Sequence, residues 1–225
     1  MRVGLYGGSF DPIHRGHVEP AVFAAERLGL DEVVLVPAFS PPHKPDGPAV
    51  SAYHRFAMAA LAAGPHEALR VDDFEVLRGA TTYTIDTLAH FRRARPGDEV
   101  VLVLGSDSLA TFATWRAWRE IAATTRIAVL DREPWLREAT EREAPPELRE
   151  RLAPEGSTLA DAPPEKTIVW AGNPPVTISS TWLRSALREG RPEAMDALPP
   201  AVARYLTRHG LYGHPRPRPW SPSTT

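Results

Sequence analysis

The 225-residue chain contains no cysteine and no glutamine, and Asn173 is its only asparagine. The first absence excludes disulfides, thiolate metal sites and a cysteine nucleophile together, and leaves the redox compartment unconstrained. Neither sign of charge dominates: 26 Lys and Arg oppose 28 Asp and Glu, for a net charge of -2 and a pI near 6.5. A surface so balanced has no general attraction for nucleic acid or anionic membranes, so any polyanion must be held by a local site. No uninterrupted apolar run reaches membrane-spanning length, and MRVGLYGG lacks a basic region followed by an apolar stretch. The expectation is a soluble cytoplasmic protein that binds neither nucleic acid nor membrane, with homo-oligomerisation left open. Proline, by contrast, is abundant at 24 residues. Scarce amides with many prolines suit a protein working at high temperature, and equally a genome rich in Arg, Ala and Pro codons.

What is present alternates between short apolar runs and helical spacings. Val3 to Tyr6 reads as a strand, Val18 to Leu30 as a helix closed by Gly29, and Val33 to Ala38 as a strand buried on both faces. A helix capped by Ser51 runs to about Ala63, a third strand covers Leu69 to Phe74, and a helix covers Thr84 to Arg95. Val100 to Leu104, Ile127 to Leu130 and Thr167 to Ala171 are further strands, and Ser179 to Arg188 and Pro200 to His209 further helices. This order implies an α/β fold, a doubly wound parallel sheet with a small C-terminal helical portion. It reads as a single domain over 1–213 with a variable, Glu- and Arg-rich insertion at about 131–166, holding one short helix at Pro146 to Leu152, and a disordered tail over 214–225. In the dinucleotide-type strand order the crevice lies beyond strands one and four, which singles out the loops Gly7 to His17 and Gly105 to Trp115.

The first of those loops, GGSFDPIHRGH, satisfies neither the dinucleotide fingerprint nor a P-loop. It is a turn entering a helix, whose N–H groups and positive dipole end favour anions, with His14 and His17 on the first helical turn. A histidine pair alone is more often a core or surface pair than a ligand set, and H-x-x-H without a third ligand makes a poor zinc site. The paired glycines ahead of it shift the reading to phosphate. The second constellation is ISSTWLR, residues 178–184, where Ser180 and Thr181 put hydroxyls and N–H groups at a helix start and Arg184 lies on the face of Ser180. Its bland alternative is an ordinary serine cap with a solvated arginine.

GSFDPIHRGH with ISSTWLR resembles the nucleotidylyltransferase superfamily that carries the H-x-G-H signature. VPAFSPPHK, TTYTIDTL, GSDSLATFATW and LPPAVARYLTRHGLY are similar, within it, to the bacterial nicotinate mononucleotide adenylyltransferase family. The resemblance spans nearly the whole chain except Asp131 to Lys166 and the tail. It implies a Rossmann-like fold and transfer of AMP from ATP to nicotinate mononucleotide in NAD biosynthesis, giving nicotinate adenine dinucleotide and pyrophosphate.

It further implies that His14, His17 and Arg184 are catalytic. Gly8, Ser9, Phe10, Asp107, Ile178, Ser180 and Thr181 join them in binding ATP, and Lys44, Thr84 and Trp115 bind the acceptor. No protein metal site is implied; magnesium arrives with ATP. Arg116 stands where the resemblance leads one to expect an aromatic residue, and either adds attraction for a carboxylate or points to solvent. Rival acceptors are nicotinamide mononucleotide and phosphopantetheine, and a rival class is a non-catalytic nucleotide-binding regulatory module, against which the histidines and ISSTWLR are intact.

Overall fold

A computed structural model describes residues 1–41, 47–134 and 136–214. Six strands form one parallel sheet in the order β3-β2-β1-β4-β5-β6. They are β1 (Arg2–Gly8), β2 (Glu32–Pro37), β3 (Leu69–Val71), β4 (Glu99–Gly105), β5 (Arg126–Leu130) and β6 (Ile168–Trp170). The strand order reverses between β1 and β4, where the alternation of strands and helices placed it.

Successive side chains of a strand face opposite sides, and both sides here are buried. Tyr6, Val33, Leu35, Val101, Val103 and Ala128 pack into one apolar cluster, while Val3, Leu5, Val34, Val36, Leu102 and Val129 pack into the other. The first cluster is covered by α1 (Arg15–Leu28), α2 (Ala52–Ala63), α9 (Ser180–Arg188) and α11 (Pro200–His209), the second by α4 (Thr84–Ala94) and α6 (Trp118–Thr124). Continuous apolar runs, rather than alternating ones, are the sequence trace of this double burial.

The helix ends follow local chemistry. Gly29 terminates α1 at φ 66°, a left-handed conformation that costs glycine little. Ser51 caps α2 by accepting from His54 N–H, and Gly210, at φ 61°, ends α11.

Three expectations need correction. The third strand stops at Val71 instead of Phe74, because the Asp72 carboxylate accepts from Phe74 N–H at 2.8 Å and turns the chain into α3 (Phe74–Arg78). The loop after β4 holds α5 (Ser106–Ala110) and a 3-10 turn, Phe112–Thr114. The Glu- and Arg-rich segment 131–166 contains α7 (Arg137–Glu143) ahead of α8 (Pro146–Arg149), which stops short of the expected Leu152, and α10 (Glu193–Asp196) precedes α11. The expected tail falls outside the described residues apart from His214.

Candidate active site

The turn after β1 is organised by Phe10. Its backbone sits at φ 46°, uncommon for a residue with a side chain, and its ring is buried edge-on against Tyr6 (5.7 Å between centroids) and His17 (5.2 Å). A Cβ on Gly8 would stand 3.0 Å from that ring, so a glycine there lets the aromatic wedge pack closely. Arg55, wholly buried, donates to Ser9 O at 2.6 Å and Phe39 O at 2.9 Å, joining this turn to the segment after β2.

Asp11, 2% exposed, is the second organiser. Its carboxylate accepts from Tyr212 Oη and from Ala49 N–H, each at 2.8 Å, and lies 3.8 Å from Arg184 Nη1. Arg184 also donates to Asp11 O at 2.8 Å, and Ser180 Oγ donates to Pro12 O at 3.1 Å. The start of α9 is thus stitched to the turn that starts α1. The cap of α9 is Ser179, whose hydroxyl accepts from Trp182 N–H at 3.2 Å, and Arg184 pairs along the helix with Thr181 at 3.3 Å rather than with Ser180.

His14 is the N-cap of α1 and His17 its third residue, with ring centroids 3.9 Å apart. The His14 backbone N–H donates to His17 Nδ1 at 3.3 Å, so in the neutral ring the proton sits on Nε2. Two first-turn N–H groups are already engaged, Arg15 N–H by Ala197 O and His17 N–H by His14 O.

The His14 ring has no exposure, and burial, reinforced by the charge of Arg132, pushes its pKa down to about 3. It is neutral at physiological pH. Because the unfolded chain takes up this proton near pH 6.5, folding stability is unaffected above that pH. It weakens by about 1.4 kcal/mol per pH unit between about 6.5 and 3. Urea titrations of wild type and His14→Asn across that window should differ by this slope; parallel curves would disprove it.

Arg132, just beyond β5, was not among the expected residues. Pro20, inside α1, has no N–H to give Gly16 O four residues earlier, and Arg132 Nη2 donates to that carbonyl at 3.4 Å. Its other nitrogen lies 3.7 Å from the Asp107 carboxylate. Ser106 holds the Arg132 backbone from both sides, accepting from its N–H at 2.9 Å and donating to its carbonyl at 3.3 Å.

One cavity of about 440 Å³ opens over the carboxyl ends of β1 and β4. It brings Gly8, Ser9, Phe10, His17, Asp107, Ser180 and Thr181 together with Thr84 and Trp115. His14, Ile178 and Arg184 are not in its lining: His14 lies behind His17, Ile178 packs against the core, and Arg184 stands on Asp11. Lys44 lies outside the described residues. Glu75 lines the wall too; it accepts from Thr87 Oγ1 at 2.7 Å, and burial pushes its carboxyl up against the opposing effects of that bond and of Arg78.

Among the described residues no three His, Asp or Glu side chains cluster as a metal site, and no helix is long and apolar enough to cross a membrane.

A doubly wound sheet with an H-x-G-H turn facing a second helix start across its crevice is the architecture of a nucleotidyl transferase. The chain belongs to the cytidylyltransferase-like family, whose model matches residues 5–186. Over nearly its whole length it is similar to proteins named probable nicotinate-nucleotide adenylyltransferase. One from Neisseria gonorrhoeae is 38% identical over 94% of this chain and 98% of its own, and one from Pseudomonas fluorescens is 38% identical over 95% and 98%. The fold matches the Plasmodium falciparum nicotinic acid mononucleotide adenylyltransferase complexed with NaAD, at a TM-score of 0.74 and 18% identity over 95% of this chain and 98% of that one.

Proposed function

We propose that this enzyme transfers AMP from ATP to nicotinate mononucleotide, forming nicotinate adenine dinucleotide and pyrophosphate in NAD biosynthesis. The observation that carries the reading is that His17, Ser180 and Thr181 share the walls of one cavity with Thr84 and Trp115. A phosphate oxygen of the acceptor bonds to the α-phosphorus of ATP as the bond from that phosphorus to the bridging oxygen breaks, and pyrophosphate leaves. The acceptor phosphate is already ionised at neutral pH, so no general base is needed.

The task is to align two anions and to stabilise charge on the transferred group. His17 donates from Nε2 to that group. Ser180, Thr181 and Arg184 take the β- and γ-phosphates, with Arg184 held by Asp11, and Asp107 accepts from ribose hydroxyls. His14, being neutral and buried, orients His17 through its backbone N–H. Trp115 offers a flat face to the pyridine ring and Thr84 a hydroxyl to its carboxylate, while Lys44 adds positive charge. Magnesium fits as an ion carried by phosphate oxygens and water, since hard cations need no all-protein cage when phosphates supply ligands.

Incubation with magnesium, ATP and nicotinate mononucleotide, nicotinamide mononucleotide or phosphopantetheine, with chromatography of products, tests the reading. The acid should give the dinucleotide and pyrophosphate in equal amounts. No adenylylated product from any acceptor would overturn it, and preference for the amide would revise the acceptor alone.

A further inference from the structure

Nicotinate and nicotinamide mononucleotides differ by one negative charge at the ring carboxyl. A hydroxyl or backbone N–H donates to either group, more strongly to the carboxylate, so Thr84 supplies part of the discrimination and the face of Trp115 little of it. A fixed cation adds to it, because it forms an ion pair with the acid and only a charge–dipole contact with the amide. The cavity wall built from α3, α4 and the segment after α5 comprises Glu75, Tyr83, Thr84, Thr87, Trp115 and Arg116. Arg116 is the one cation among these described residues.

Arg116 is exposed, but its guanidinium has a defined neighbour. Its guanidinium carbon lies 4.7 Å from the centroid of the Tyr83 ring, and Tyr83 is the N-cap of α4, directly before Thr84. A guanidinium over an aromatic ring engages the ring through its face and can still fork from its edge onto a carboxylate. Ala117, the next residue, sits at φ 56° and turns the chain sharply into α6, so Arg116 leaves the backbone at a constrained point beside Trp115. Glu75, on the same wall, would repel an acidic acceptor when ionised, and Arg116 offsets it.

We propose that Arg116, held on the Tyr83 ring, selects acceptors bearing a carboxylate on the pyridine ring over those bearing the amide. This rests on the adenylyl-transfer reading. The test measures kcat/KM for both mononucleotides with wild type, Arg116→Ala, Arg116→Lys and Tyr83→Leu, with the KM for ATP and the melting temperature alongside. Arg116→Ala should reduce the acid-to-amide ratio by about 10-fold, the scale of one partly exposed charge-assisted contact, and do so less at high salt. Lysine, which keeps the charge without the stacked fork, should recover part of the ratio, and Tyr83→Leu should fall between wild type and Arg116→Ala. Equal losses for both acceptors, or an unchanged ratio, overturn the inference while leaving the reaction intact. A wild type that turns over neither mononucleotide overturns both.

Discussion

Replacement of His17 by alanine is expected to lower kcat by about 100- to 1,000-fold, the usual cost of one well-placed donor at a site of developing charge. The substitution also removes the acceptor of the His14 N–H, which is buried in the turn. An orphaned buried donor costs about 1–3 kcal/mol, so the alanine variant mixes a chemical loss with a structural one. His17→Asn separates them. An asparagine oxygen can stand where Nδ1 accepts from His14, whereas nothing replaces the Nε2 donor. The asparagine variant should therefore keep a near-wild-type melting temperature and still lose most of kcat, with the KM for ATP moving less. Recovery of activity in His17→Asn would reassign His17 to holding the turn. Rapid-quench measurement of a single turnover places the loss in the transfer step.

The contrast between His17 and His14 marks how far the sequence could be read. The sheet is legible because its strands are buried on both faces, leaving runs such as Val33 to Val36 and Val100 to Leu104 with no polar interruption. The helices are legible where caps are local, as at Ser51, Gly29 and Gly210. Short elements such as α3 carry too few turns to show a period, and Phe74 reads as the end of a strand until the Asp72 carboxylate is seen to bend the chain. Sequence also places both histidines on one helical turn, without distinguishing the cavity-lining ring from the one behind it, since that depends on how Phe10 wedges into the turn and on Arg132 arriving from beyond β5.

Arg132 is hidden for a different reason. It opens the Glu- and Arg-rich stretch, where one more arginine looks like a solvated charge. Two signals could have found it: it follows the carboxyl end of a central strand, and Pro20 leaves a helical carbonyl needing a donor. Asp11 is equally opaque, because Tyr212 and Arg184, its partners, lie 201 and 173 residues away.

Gly16→Ala should be strongly damaging although residue 16 takes no part in the reaction, and the damage should be reversible at a second site. A Cβ at residue 16 would stand 2.5 Å from Val176 Cγ1 and 3.0 Å from His14 Nδ1. Valine is stiff about χ1, so the methyl cannot swing away, and forced overpacking of this kind costs about 1–3 kcal/mol. Val176 is not isolated either: it forms a parallel bridge with Arg132, which donates to Gly16 O and faces Asp107. Displacing Val176 therefore drags the Arg132 backbone and the Asp107 carboxylate it faces, and the same alanine presses on the ring of His14, whose backbone N–H donates to His17. The expected result is a fall of about 10- to 100-fold in kcat/KM for ATP, because a misplacement of the order of 1 Å at an aligned site has that scale. Val176→Ala removes the methyl that collides, so the double variant should regain much of both stability and kcat/KM, with Val176→Ala alone near wild type. Additive losses in this cycle would mean that the glycine is required by the turn at His14 itself instead of by the approach of Val176.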